Sequence, residues 1–150
     1  MQHQRPNSPG EQHKAMHKLA CNAMQQSYSP YSGFKVGAVV VADNGQAFSA
    51  CNVENASYPE GTCAEAGAIS AMVLAGQQRI REVYVVGAGD ALVTPCGGCR
   101  QRIREFASGA TMVHICGPEG IRKSVTLNEL LPLSFGPEHL DQPSPSSRKA

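Results

Sequence analysis

A strand, a helix and a second strand follow one another within residues 81–116, and that order constrains this chain more than any other feature. Val83, Tyr84, Val85 and Val86 run without a polar break, so residues 81–89 read as a buried strand; residues 99–107 read as a helix closed by Gly109, and residues 111–116 as the next strand. A crossover through a helix makes the two strands parallel and the connection right-handed. Other segments must cover that unit. Residues 34–42 are valine-rich, Asp43-Asn44-Gly45 is a strong turn signal and residues 46–51 resume as a strand, which predicts a β-hairpin. Ala15, Met16, Leu19, Ala20, Ala23 and Met24 recur at helical spacing in residues 11–27, before Ser29-Pro30-Tyr31-Ser32-Gly33 breaks the pattern. Residues 63–75 are apolar on nearly every side, as in a helix sandwiched inside a small domain. A short segment at 123–126 adds a last strand before residues 127–131 turn helical. The expected fold is α/β: a three-layer α/β/α domain with a mixed sheet of about five strands.

With 150 residues, 41% of them hydrophobic, the chain can close one core but not two. The expected organisation is a domain at 11–135 between loose ends at 1–10 and at 136–150, the latter rich in Pro and Ser. Thirteen Lys and Arg against twelve Asp and Glu give a net charge of +1, too little basic field to gather a nucleic-acid polymer. No apolar leader segment and no stretch of membrane-spanning length is visible, so a soluble, cytoplasmic protein is expected. Six cysteines without a sign of secretion are better read as reduced thiols or metal ligands than as a disulfide framework.

The chemistry lies where two helices begin, in Thr62-Cys63-Ala64-Glu65 and in Pro95-Cys96-Gly97-Gly98-Cys99. The helix dipole and unpaired N–H groups at a helix start favour a thiolate, so the pKa values of Cys63 and Cys96 are expected to fall. Cys96 and Cys99 can point two sulfurs from one turn at one ion, and Cys63 supplies a third from a separate helix. Three protein ligands leave the fourth tetrahedral position open, which is the pattern of a catalytic zinc site. Glu65 can then lie beside the ion without ligating it. A glutamate two residues after the first ligand, followed later by Pro-Cys-x-x-Cys, is the signature of zinc deaminases.

Each piece has a plainer reading. Cys-x-x-Cys after a strand also suits a thioredoxin-like redox pair, and Thr62 to Glu65 satisfies the capping-box pattern. A closed structural site would use Cys51 or Cys116 as fourth ligand; otherwise Cys21, Cys51 and Cys116 are small core hydrophobes. His3, His13, His17, His114 and His139 are scattered, and none is a candidate ligand.

Over residues 14–135 the chain resembles the small, homotetrameric, zinc-dependent cytidine deaminases. The resemblance rests on Tyr31-Ser32-Gly33-Phe34-Lys35-Val36-Gly37-Ala38, Asn52-Val53-Glu54-Asn55-Ala56, Cys63-Ala64-Glu65 and Pro95-Cys96-Gly97-Gly98-Cys99-Arg100-Gln101, in that order. It implies one Zn²⁺ per chain on Cys63, Cys96 and Cys99, with Glu65 moving protons during hydrolysis of cytidine, and of deoxycytidine, to uridine or deoxyuridine and ammonia, a step of pyrimidine salvage. It implies further that Asn52 and Glu54 bond the ribose, that Phe34 and Ala64 line the substrate pocket, and that Phe135 reaches a neighbouring subunit's site near Ala56 and Tyr58.

One departure stands out. The family commonly places an arginine after the catalytic glutamate, and this chain has Ala66. Three thiolates on Zn²⁺ leave a net charge of minus one, so the helix starts and a cation such as Arg100 or Arg104 are expected to offset it. Two other function classes share the motifs: another small-molecule aminohydrolase of the blasticidin-S type, and a non-catalytic structural zinc protein.

Overall fold

The computed structural model describes residues 8–140. The ends expected to be loose at 1–7 and 141–150 lie outside the described residues. The apolar run at Val83 to Val86 forms the centre of the sheet, in strand β3 (Ile80–Gly87). Strand β4 (Met112–Gly117) pairs with it in parallel, Val83 opposite Val113 and Val85 opposite Ile115, and helix α3 (Gly97–Phe106) lies in the connection between them. On the other side of β3 runs β1 (Val36–Ala42), antiparallel, and outside it β2 (Ala47–Cys51). The hairpin turns at Gly45, whose φ of 86° is the left-handed conformation such a turn requires. With β5 (Gly120–Thr126) antiparallel to β4, the order is β2-β1-β3-β4-β5, the mixed five-stranded sheet that the sequence predicts.

The two faces are covered unequally. Among the described residues helix α1 (Pro9–Gln25) alone packs on one, where Ala20 and Met24 meet Val39, Val41, Tyr84, Val86 and Cys116. Helix α2 (Ala64–Leu74), α3 and the short α4 (Leu127–Leu130) cover the other, where Ala68, Ile69, Met72 and Ile103 meet Val40, Val83, Val85, Val113 and Ile115. From Val83 to Val86 alternate residues of β3 therefore belong to different cores, as the period of two in a strand dictates, while Ile80, beyond the register irregularity at Val41 and Ala42, joins the α2 and α3 side.

Several boundaries differ from expectation for identifiable reasons. Helix α1 starts at Pro9, because Ser8 and Glu11 form a reciprocal capping box and proline suits the first helical turn. Helix α3 starts at Gly97, which moves Cys99 from the helix start into the first turn. Strand β5 begins three residues early, its edge position concealed in the sequence by Arg122 and Lys123. In the segment expected to be loose after residue 135, Pro137–Leu140 forms a 3-10 turn, and Arg104 pairs with Glu138. Ala15, counted in the apolar stripe of α1, faces solvent, and His13 and His17 take the inward positions.

Helix α1 approaches the sheet so closely over Gly37 that a Cβ there would lie 2.1 Å from the Ala20 carbonyl oxygen and 2.7 Å from the Met24 nitrogen. Both obstacles are backbone, so no side chain can swing aside. We expect Gly37→Ala to cost about 3 kcal/mol or more, read as a lowered urea midpoint at unchanged slope; an unchanged midpoint would show that α1 moves off the sheet freely.

Candidate active site

The loop between β2 and α2 folds back on itself before it reaches the helix. Val53 and Thr62 exchange two backbone hydrogen bonds, the Val53 N–H donating to Thr62 O at 2.9 Å and the Thr62 N–H to Val53 O at 2.8 Å. That bridge returns the chain to Asn52 and delivers Cys63 as the residue that opens α2. Cys63 itself is the N-cap, and no side chain caps this helix. Thr62 is thus occupied in the bridge, and the capping-box reading of Thr62 and Glu65 does not hold. Glu65 turns inward and is only 3% exposed.

Cys96 occupies the corresponding place at the start of α3, again without a side-chain cap bond. The sulfurs of Cys63, Cys96 and Cys99 all lie within 4.8 Å of one another, and those of Cys63 and Cys96 are 3.9 Å apart. Zn–S bonds of about 2.3 Å in a tetrahedron put sulfurs roughly 3.8 Å apart, so this trio fits zinc in donor type and spacing. Cys51 and Cys116 stand outside the cluster, Cys116 on the α1 face of the sheet, and none of the six cysteines is in a disulfide.

The electrostatics correct one expectation. Cys96 does sit below the usual thiol range: burial opposes its ionisation, but hydrogen bonds from the Cys99 backbone N–H, the Cys99 thiol and Cys63 outweigh it. Cys63 and Cys99 are pushed up, by burial first and then by the charges of neighbouring sulfurs and Glu65. Burial outweighs the helix starts wherever the sulfur is withdrawn from water. Glu65 is raised too, chiefly by burial, against the lowering effect of a Cys99 hydrogen bond and the charge of Arg102.

Phe34, Asn52, Cys63, Ala64, Glu65 and Cys96 line one cavity of about 230 Å³, completed by Val36, Val85, Val93 and Thr94. Glu54 and Tyr58 instead line an adjoining hollow of about 290 Å³, with Tyr31, Ser32, Asn55 and Gly61; Ala56 and Phe135 line neither. The Asn52 amide is largely engaged: its oxygen accepts from Val36 N–H at 2.9 Å and from the Ser27 hydroxyl, and its nitrogen donates to Phe34 O at 2.8 Å. The Glu54 carboxylate accepts from the Tyr31 and Ser32 N–H groups, each at 3.0 Å, and from the Ser32 hydroxyl. Those bonds, the Ser32 hydroxyl first, hold its pKa low. Among the described residues nothing takes the one hydrogen-bonding position that remains on each of these two side chains.

Neither arginine expected to offset the thiolates touches a sulfur. Arg100 donates to Pro95 O at 2.8 Å, Leu130 O at 2.7 Å and Thr94 Oγ1 at 3.0 Å, bracing the loop before Cys96. Arg104 donates to Ser134 Oγ at 2.9 Å and pairs with Glu138. Arg102, which sequence reasoning passed over, puts its guanidinium 3.5 Å from Cys99 Sγ. The signal was present in its place three residues after Cys99, since side chains three apart are helix neighbours.

The family description that matches this chain is the cytidine and deoxycytidylate deaminase zinc-binding region, over residues 10–115. Among curated proteins the chain is 38% identical to a cytidine deaminase of Sporosarcina psychrophila over 79% of its own length and 87% of the other's. It is 36% identical to one of Mycobacterium tuberculosis over 81% and 87%. The crystal structure of cytidine deaminase from Burkholderia pseudomallei superposes with a TM-score of 0.77 at 37% identity, covering 82% of this chain and 98% of that one. The Mycobacterium leprae cytidine deaminase gives 0.69 at 33%, covering 84% and 99%.

The arginine geometry yields a direct comparison. We expect Arg102→Ala to weaken zinc binding about tenfold in chelator competition, and Arg100→Ala to lower thermal stability while leaving zinc affinity near normal. Equal zinc affinity in Arg102→Ala and the parent protein would reduce Arg102 to a surface charge.

Proposed function

This chain belongs to the cytidine and deoxycytidylate deaminase family, and from that premise we propose how its own residues carry the reaction. The protein is a zinc-dependent hydrolase that converts cytidine to uridine and ammonia. The proposal adds deoxycytidine as a second substrate and assigns the roles below. The observation that carries it is the buried Glu65 carboxyl in the wall of the cavity that Cys63 and Cys96 also line.

Cys63, Cys96 and Cys99 would hold the zinc, which would supply Lewis acidity enough for water to ionise near neutral pH. Glu65 takes the proton of the attacking water and delivers protons to the ring nitrogen beside the reacting carbon and to the departing amine. The C–O bond forms, the C–N bond breaks, and Glu65 ends in its starting state. Its raised pKa suits a group that must both accept and give up a proton. Phe34 and Ala64 offer apolar surface to the base, while the remaining N–H of Asn52 and lone pair of Glu54 are the ribose contacts. A free base, which brings no sugar hydroxyl, leaves those groups unpaired, and that cost favours a nucleoside over a base.

The same proposal includes a symmetric homotetramer in which Phe135 completes a neighbour's cavity, with Ala56 and Tyr58 near the junction. Support comes from how the segment is displayed. Phe135 is 57% exposed and stacks within its chain on His139, ring centroids 5.1 Å apart. Leu133 beside it is fully exposed at a φ of 52°, a conformation unfavourable to a side-chain-bearing residue. Helix α3 anchors the segment, Gln101 donating to Phe135 O at 2.9 Å and Arg104 to Ser134. Two apolar side chains held outward at such a cost are suited to a partner surface.

Loss of cytidine absorbance on adding protein, abolished by a chelator and restored by zinc, is the first test; no turnover of cytidine or deoxycytidine overturns the reading. Glu65→Gln should retain one zinc per chain and bind nucleoside while turnover falls about 10³-fold or more. Cys63→Ala, Cys96→Ala and Cys99→Ala should each lose the metal. For the assembly, Phe135→Ala and Glu65→Gln should each be poorly active alone, and co-refolded mixtures should regain activity. No recovery in verified mixed tetramers, or a fully active monomer, would show that Phe135 acts within its own chain.

A further inference from the structure

We propose that the α1 face of the sheet carries a second divalent-cation site, built from His13, Glu82 and His114 and separate from the thiol cluster. One ligand atom from each residue lies within 4.8 Å of the others. His13 projects from the first half of α1, Glu82 from β3 and His114 from β4, where His114 pairs with Tyr84 across the parallel ladder. Lower on this face the packing is apolar, through Ala20, Met24, Val39, Val41 and Val86. Towards the start of α1 it becomes polar.

The His114 side chain is 5% exposed, and its Nδ1 lies 2.7 Å from Ser124 Oγ. Its Nε2 is buried without a hydrogen-bond partner, the one such side-chain atom among the described residues. Glu82 Oε1 stands 3.5 Å away, too far for a good hydrogen bond, and the His13 ring presents an edge with centroids 4.8 Å apart. A buried polar atom left in this way costs stability, and an ion drawn between these groups removes the cost.

Proton bookkeeping supports the same arrangement. Tyr84 has one hydroxyl proton, which it donates to Glu82 Oε2 at 3.1 Å. At its 2.7 Å contact with His13 Nδ1 the phenol oxygen can then only accept, so Nδ1 carries the proton and Nε2 of His13 keeps its lone pair. The Ser124 hydroxyl can rotate to accept from Nδ1 of His114, which frees Nε2 of that ring in the same sense. Burial also keeps His114 below the usual histidine range, despite the opposing charge of Glu82. Two imidazoles, each with one nitrogen left as a lone-pair donor, and a carboxylate thus meet in one cluster, and each is bound at another atom by a hydroxyl. That is the outer-shell pattern of ligating histidines.

Imidazole and carboxylate donors suit a borderline divalent ion of the zinc class, Co²⁺ and Ni²⁺ included, with water in the remaining position. Ligand atoms around such an ion stand about 3.4 Å apart. His13 and Glu82, both partly exposed, can turn inward to that distance while His114 stays fixed. The ion would tie α1 to the two central strands, away from the cavity, and so acts on stability.

The test uses untagged protein whose thiol site already holds one zinc, titrated with further Zn²⁺ and separately with Co²⁺ by calorimetry, elemental analysis and thermal denaturation. A second equivalent per chain is expected, with a rise in Tm of roughly 5–10 °C at saturation. His13→Gln and Glu82→Gln should each abolish that equivalent and the Tm rise while keeping the first zinc and cytidine turnover. His139→Gln should change neither. Stoichiometry fixed at one under saturating metal, or a second equivalent that survives in both variants, overturns the proposal.

Discussion

Two helices start side by side, and each brings sulfur to a place where sulfur is uncomfortable without a cation. Cys63 and Cys99 are pushed towards the protonated form by burial first, then Cys63 by the charge of Cys96 and Cys99 by those of Glu65 and Cys63, and Glu65 shares that environment. A divalent ion reverses the balance, since a coordinated thiol gives up its proton. Neighbouring structure holds the sulfurs at the spacing that ion requires. The Val53 to Thr62 bridge fixes where α2 begins, Arg100 fixes the loop that leads into α3, and the crossover between β3 and β4 puts α3 on the face that α2 covers. The site is thus an outcome of backbone placement more than of side-chain adjustment.

Helix α3 distributes its arginines by angle. Arg100 and Arg104, four residues apart, share a face and bind main-chain and polar groups of the segments around them. Arg102 projects from another side and reaches Cys99, one turn back. Three like charges within five residues consequently hold a loop, a sulfur and the Phe135 segment, with little overlap. Because Gln101 and Arg104 anchor residues 134 and 135 to the helix that also carries Cys96 and Cys99, the displayed phenylalanine and the metal ligands share one rigid support.

Much of this was legible in the sequence, and the part that was not has a common cause. Valine runs, the Asn44-Gly45 turn and the spacing of Cys63, Cys96 and Cys99 are local signals, and they yielded the sheet, the hairpin and the ligand trio. Phe34, Asn52 and Ala64 fell in the same cavity as those cysteines, whereas Glu54 and Tyr58 fell in the hollow beside it. Arg100 and Arg104, the cations expected near the sulfurs, bind other groups, whereas Arg102 reaches Cys99 because three residues along a helix bring side chains together. The polar contact between α1 and the sheet was invisible for a deeper reason. His13, Tyr84, Glu82 and His114 meet only once strand register and helix placement are known, and nothing local in the chain announces it.

The pleat of β3 and β4 separates two neighbourhoods that share the same strands. Val83, Val85, Val113 and Ile115 face α2 and α3, while Tyr84, Val86 and Cys116 face α1, with Glu82 and His114 in the same alternation. A substitution at Tyr84, Val86 or Cys116 is therefore felt on the α1 side, and one at Val83, Val85, Val113 or Ile115 on the side of α2 and α3, where Val85 also lines the cavity. The alternation gives the domain a form of evolvability: new polar groups can be tried out on one surface of a strand while the other keeps the packing on which its inherited chemistry relies.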